Sequence, residues 1–247
     1  YNPFKNPVIK FRNYLIVQVL YETGFRCAEL LALRIGDIGT DTDNPTLSVV
    51  RRHDSKDDPR LKEPTAKTLG RAVSITKELR DLLNTYIKVH RVDTKVAKTH
   101  PFIFVSHKDK EGHYQSGQPL IQQTINDVFK SIKGVNPERF WAITPHSYRH
   151  YFNDQLSDQI DEERRAVRQE VKRLEQAGLH QAAKQYADEN KITKQRELEI
   201  RAELNGHSSL KSGEIYLKRT ARKQAQRIRQ RMQSRMKHKT DGGYHGS

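Results

Sequence analysis

Residues 158–203 contain no proline and are dominated by Glu, Arg, Lys, Gln and Ala. These side chains lose little rotamer freedom in a helix, and with no proline to interrupt the hydrogen-bond ladder the stretch is committed to helices. Gly178 marks the expected break between them, since glycine is a weak helix former and the usual residue just past a helix end. Ala166, Val167, Val171 and Leu174 recur at helical spacing, which predicts helices docked on protein rather than a solvated linker.

The rest of the chain narrows the fold. Val8 to Tyr21 reads as a helix ended by Gly24, and Cys27 to Leu33 as a second. Thr46 to Arg52 alternates and is β-branched, so it reads as a strand. The charged, proline-punctuated residues 53–66 read as a long hairpin loop, and Arg71 to Ile75 as the returning strand. Thr76 is an acceptable N-cap for a helix whose apolar face is Leu79, Leu82, Leu83, Tyr86 and Ile87, extending to His90. Phe102 to Val105 is a short extended segment, and Ile121, Ile125, Val128, Phe129 and Ile132 mark another amphipathic helix. The order predicts an α+β, mostly α-helical fold with a small antiparallel sheet and a helical insertion.

The chain has 247 residues, 34% of them hydrophobic and 30% charged, with a formal charge of +15. Such an excess favours a polyanionic partner, nucleic acid ahead of an anionic membrane. No apolar run approaches the ~20 residues that span a bilayer, and no secretory signal is visible. The single cysteine, Cys27, excludes an internal disulfide and multi-cysteine zinc sites, and fits a reducing interior. The expectation is a cytoplasmic, nucleoid-associated protein without membrane contact.

Four short motifs carry chemistry. Arg26 and Glu29 are three apart, which on a helix puts them on one face; alone, they make an ordinary ion pair. Lys67, in Ala66-Lys67-Thr68-Leu69-Gly70-Arg71, falls in or near the hairpin turn, where a lysine is ordinarily a solvated charge. Thr144-Pro145-His146-Ser147-Tyr148-Arg149 opens with a capping residue and a proline suited to a first turn, so His146 and Arg149 share a face there. The unpaired N–H groups and positive potential of a helix N-terminus suit a phosphate. Last, Gly206-His207-Ser208-Ser209 is followed by Tyr216, nine residues beyond the histidine. With a pKa near ~10, a tyrosine hydroxyl is only about 0.1% ionised at neutral pH, so covalent chemistry through it requires cations and proton-transfer groups around it.

In this order and spacing the motifs resemble those of the tyrosine recombinases, or phage-type integrases, in their catalytic domain. That family's pattern is an Arg-x-x-Glu helix, a hairpin lysine, His-x-x-Arg, a Gly-His turn, and a tyrosine nine residues after its histidine. The resemblance covers roughly residues 8–156 and 193–220. This chain departs from the pattern in the long charged insert between Arg149 and His207, in Asn205 where an apolar residue is customary, and in Ser212-Gly213 where Thr-Thr is common.

The resemblance implies a tyrosine-recombinase catalytic-domain fold and a site-specific DNA recombinase working through a 3′-phosphotyrosyl intermediate. Tyr216 would attack the scissile phosphate, and Arg26 and Arg149 would hold its non-bridging oxygens. Lys67 would protonate the leaving 5′ oxygen; it is preferred over Lys62 of the same loop for its Lys-Thr step and its spacing to Arg71. His146 would assist proton removal from Tyr216 or support the phosphate, His207 would hydrogen-bond a phosphate oxygen, and Glu29 would orient His146 or Arg26. No ATP, metal or other cofactor is expected. The implied organisation is a catalytic domain over 1–220, with the insertion at about 158–192, and a basic helix and tail over 221–247. The family's preceding core-binding domain is expected to be missing from this chain.

Beyond Tyr216, Leu217, Ala221, Ala225, Ile228, Met232 and Met236 keep to one helical face, and residues 217–240 hold ten Lys or Arg and no acid. This helix is expected to dock on its own domain, on a neighbouring subunit of a tetramer assembled on double-stranded DNA, or on the DNA. Two rival readings remain: a type IB topoisomerase-like or telomere-resolving enzyme with the same nucleophile, and a non-catalytic basic DNA-binding module.

Overall fold

The computed structural model describes residues 2–52, 58–64, 68–109, 115–207, 209, 212–214, 217, 225–226 and 228–230. The chain divides into two compact units, Tyr1–Gln155 with Glu203–Ser208, and Leu156–Ala202 with Ser209–Ser247. The first unit opens with α1 (Pro7–Thr23), whose N-cap Asn6 accepts the Val8 and Ile9 N–H groups through its side chain. Gly24 ends α1 in the left-handed region at φ +61° and donates its N–H to Leu20 O at 3.1 Å. Only glycine suits this position, because a Cβ would lie 2.7 Å from the Phe152 ring.

Next come α2 (Cys27–Ala32), β1 (Thr46–Val49), β2 (Arg71–Ser74) and α3 (Lys77–Thr85). β1 and β2 pair antiparallel with Leu47 opposite Val73 and Val49 opposite Arg71. Both strands are shorter than the alternation suggests. Arg52 lies past the end of β1 because its guanidinium is drawn to Asp37, with Nη1 3.0 Å from Oδ2. α3 starts at its expected cap, where Thr76 Oγ1 accepts the Leu79 N–H at 3.1 Å. It then widens into a π-helical turn over Tyr86–Arg91, where Arg91 turns back to donate to Phe102 O at 2.8 Å and Ala97 O at 2.6 Å. With the Phe102 carbonyl taken by that guanidinium, Phe102 to Val105 forms only isolated bridges, Arg34 with Phe102 and Val105 with Pro119.

The unit is completed by α4 (Gln122–Val135), α5 (Pro137–Phe140) and the start of α6 (Pro145–Gln176). Its core joins Leu15, Ile16, Val19 and Leu20 of α1 to Leu30, Leu47, Val73, Leu79, Leu83, Ile125 and Phe129, all buried. Burying each such side chain contributes roughly 1.5–3 kcal/mol, which fixes the two helix ends and the strand ends that meet at the site.

The second unit holds the remainder of α6, α7 (His180–Asn190) and most of α8 (Lys194–Asn205). The break falls at Gly178, with φ +76°, where Leu179 N–H reaches back to Leu174 O at 2.9 Å. Val167, Val171 and Leu174 are half-buried and Ala166 is exposed, so the apolar stripe is covered only in part. Polar bonds do much of the joining. Arg201, fully buried, donates to Glu197 Oε1 and to Ser157 Oγ, both at 2.7 Å, while Arg164 reaches Glu197 Oε2 at 2.8 Å. Among the described residues no helix is long and apolar enough to cross a membrane.

Candidate active site

The α2 motif is built differently from a simple helical ion pair. Arg26 is the N-cap of α2, with φ −71° and ψ 154°, so it stands outside the helix while Glu29 stands at its third position. A shared helix face therefore does not describe the pair. Glu29 instead folds back to accept the Arg26 backbone N–H at 2.8 Å, which leaves the Arg26 side chain 39% exposed with Nη1 3.4 Å from Glu29 Oε1. The chain thereby caps its own helix and presents a guanidinium outward.

Glu29 is 1% exposed and has further partners: Thr68 Oγ1 donates at 2.5 Å, and Arg71 Nη1 and Nη2 donate at 3.2 and 2.9 Å. Burial pushes its carboxyl up, but hydrogen bonds and positive charge from Arg71, with the bonds from Thr68 and Arg26, outweigh that and hold it below the ordinary range. It stays a carboxylate.

Arg71, which the motifs do not single out, also lies in this cluster, and one sequence signal points to it. It is in phase with Val73 on the buried side of β2, where an arginine must be paired. Its Nε donates to Leu204 O at 3.0 Å, and Leu69 N–H donates to Gly206 O at 3.0 Å. The residues before β2 and the Gly-His turn are thus joined directly. Gly206 has φ +64°, and a Cβ there would lie 2.5 Å from Arg71 Nη1 and 2.9 Å from Leu69 O, so the turn admits only glycine.

At the start of α6, Thr144 Oγ1 accepts the Ser147 N–H at 3.1 Å and Ser147 Oγ accepts the Thr144 N–H at 3.0 Å, a reciprocal cap. His146, in that first turn, is exposed and lies edge-on to His150 with ring centroids 4.3 Å apart. Arg149 is 1% exposed. It donates Nη1 to Gly24 O at 2.8 Å and Nη2 to Asn205 O at 3.0 Å, and Nη2 lies 3.3 Å from His207 Nε2. The unusual Asn205 has a local reason: its side-chain amide pairs reciprocally with that of Asn153 at 2.9 and 3.0 Å, satisfying both in the interior.

The structure thus brings Arg26, Glu29, Arg71, Arg149 and His207 together, and sets His146 on the helix that carries Arg149. Lys67 and Tyr216 lie outside the described residues, as does most of the stretch after Tyr216; within it Ile228 is exposed. Lys62 is exposed. His207 is lowered to about 4, first by burial and then by the cations Arg149, Arg26 and Arg71. It is neutral near pH 7. Because a guanidinium only donates, Nε2 is the acceptor toward Arg149 and the imidazole proton is assigned to Nδ1. Cys27 does not compete as a nucleophile, since burial pushes its thiol up to about 11 against an opposing hydrogen bond from Gln122.

A capped, outward guanidinium and a buried guanidinium thus stand beside a neutral imidazole, a cationic cluster whose chemistry suits an anion. The chain belongs to the phage integrase family, whose description matches residues 4–164. It is 31% identical over 146 residues to transposase A from transposon Tn554 of Staphylococcus aureus, covering 59% of this chain and 36% of the transposase. The chain therefore spans about a third of the length of the curated relatives it matches.

Among solved structures, it is similar to the XerH site-specific recombinase bound to palindromic difH substrate in a post-cleavage complex. There the TM-score is 0.56 and the identity 18%, over 91% of this chain and 47% of that one. The XerH pre-cleavage complex with difH gives a TM-score of 0.53 at 19% identity, over 87% and 44% of the two chains. These likenesses show the fold, the mostly helical catalytic-domain fold with a small antiparallel sheet.

Proposed function

We propose that this chain is the catalytic part of a site-specific DNA recombinase that cuts and rejoins DNA through a covalent 3′-phosphotyrosyl intermediate. The observation that carries the reading is the convergence of Arg26, Arg149 and Arg71 on His207, an imidazole that burial first and these cations second keep neutral. A phosphodiester is the anion that suits such a cluster, and the name of the Tn554 relative and the complexes of the XerH site-specific recombinase with its difH substrate are consistent with DNA as its source.

Tyr216 Oη attacks the scissile phosphorus as the bond to the 5′ oxygen breaks. The tyrosyl proton passes to His146 or to solvent, and Lys67 gives a proton to the leaving 5′ oxygen. Arg26 and Arg149 donate to the non-bridging oxygens and stabilise the charge of the five-coordinate transition state. His207 donates its Nδ1 proton or, once the phosphate raises its pKa, either ring proton. Glu29 acts behind them by fixing Arg26. A 5′-hydroxyl from another strand then attacks phosphorus and returns the proton, so the phosphoester bond energy is kept and no nucleotide is consumed.

In this reading residues 1–220 form the catalytic domain, with about 158–192 inserted in it, and residues 221–247 form a basic helix and tail. That helix links protomers of a tetramer on double-stranded DNA; Ile228, exposed in the single chain, belongs to the face that would dock. The protein works in the cytoplasm on nucleoid DNA. A nicked suicide site from the element that encodes the protein tests the reading. The unsubstituted chain forms a covalent adduct on it, whereas Tyr216→Phe binds the site and forms none; an adduct with Tyr216→Phe sinks the assignment.

A further inference from the structure

The β1–β2 ladder ends at Val49 opposite Arg71. The chain immediately before β2, which leads back to Lys67, is tied instead by two bonds: Thr68 Oγ1 to Glu29 Oε1 at 2.5 Å, and Leu69 N–H to Gly206 O at 3.0 Å. Arg71 bonds at both anchors. Its Nη1 and Nη2 fix the Glu29 carboxylate from one side, and its Nε fixes the carbonyl of Leu204, two residues before Gly206. Its guanidinium carbon lies 5.2 Å from the centroid of the Phe25 ring, which backs the fork just ahead of α2. The Arg71–Glu29 pair is buried at both ends, so water offers no substitute partner if one is removed.

From this geometry we propose that Arg71 is a positioning residue for the cleavage step: through Glu29 and the Gly206 turn it holds Thr68 and Leu69, which follow Lys67 in sequence, beside Arg26 and His207. The proposal rests on the reading of Lys67 as the group that protonates the leaving 5′ oxygen. Arg71 also supplies positive charge opposite Glu29, so that a buried carboxylate beside the pocket does not repel an incoming phosphate. Lysine cannot replace it, because a single ammonium cannot grip both carboxylate oxygens and the Leu204 carbonyl in one plane.

The test uses the full chain on a nicked suicide DNA whose scissile 5′ oxygen is either normal or replaced by sulfur. A thiolate leaves without protonation, so this substrate does not need the acid. Arg71→Lys slows cleavage of the normal substrate by about tenfold or more, since misplacing a general acid forfeits much of its roughly 10²–10⁴-fold contribution. The sulfur substrate removes most of that defect. Thr68→Val, which deletes one anchor without burying a charge, shows the same selective rescue with a smaller defect, and it guards against a folding failure of Arg71→Lys. His207→Gln, by contrast, is slow on both substrates. Equal slowing of Arg71→Lys and Thr68→Val on both substrates, or no slowing, overturns the proposal.

Should Lys67→Ala itself escape rescue, the acid assignment fails, and amide exchange decides the positioning. Faster exchange of the Leu69 N–H in Arg71→Lys supports it; unchanged exchange overturns it.

Discussion

Two buried arginines, one in each unit, differ in the acceptors they meet. Arg201 in the second unit meets the Glu197 carboxylate and the Ser157 hydroxyl, and Glu197 is shared with Arg164. Arg149 in the first unit donates to the carbonyls of Gly24 and Asn205 and faces His207. A carboxylate cancels a guanidinium's charge, whereas carbonyls accept its hydrogen bonds with dipoles alone. The consequence is measurable at His207, where Arg149 is the first of the cations, after burial, that lower the imidazole's pKa. One arginine holds helices together; the other holds a position and keeps a field.

The largest effect that would sharpen this contrast is on cleavage. Arg149→Lys keeps a positive charge but loses the fork, and the rate of adduct formation on nicked DNA falls by about 10²–10³-fold, the range for losing one preorganised donor at a transition state. A rate within a few-fold of the unsubstituted chain would erase the distinction between the two arginines. Arg201→Met should behave in the reverse manner. Urea unfolding loses roughly 3–5 kcal/mol, the range for removing one partner of a buried ion pair, while cleavage at 25 °C changes little. If cleavage collapses while stability holds, the second unit does more than support.

The smallest effect is in pH dependence. The unfolded His207 takes up a proton near 6.5, and the native one only near 4. On acidification through that window the unfolded state binds more protons, so stability falls, and the loss levels off below about pH 4. His207 contributes a slope of at most about 1.4 kcal/mol per pH unit. His107, also lowered to about 4 by burial and then by Arg12, has the same sign. His207→Gln therefore reduces the acid-side slope without abolishing it, and Arg149→Gln moves the His207 titration, followed by NMR, back toward 6.5. The same titration is unmoved in Arg201→Met.

What was legible in the sequence was local. Gly24, Thr76, Thr144 and Gly178 set element ends through their own backbone or side chains, and each acts where the pattern placed it. The candidate residues on α2, α6 and the Gly-His turn were legible as motifs. Their joints were not, because those depend on partners far along the chain. Arg71 meets Glu29 across 42 positions, and Asn153 meets Asn205 across 52. Arg26 misled for a different reason: spacing alone assumes that both residues are helical, and a capping residue is not. Phe102 to Val105 is extended as its sequence suggests, but that the Phe102 carbonyl is taken by the buried Arg91, eleven positions back, was not legible there.

The central claim is that this cationic cluster of Arg26, Arg149 and His207 activates a tyrosine against a phosphodiester. Mass-spectrometric mapping of the protein–DNA adduct from a nicked suicide site tests it most directly. The account predicts one nucleotide-bearing peptide, modified at Tyr216 through a 3′-phosphate. An adduct at any other residue, or none from a chain that binds the same DNA, would contradict it.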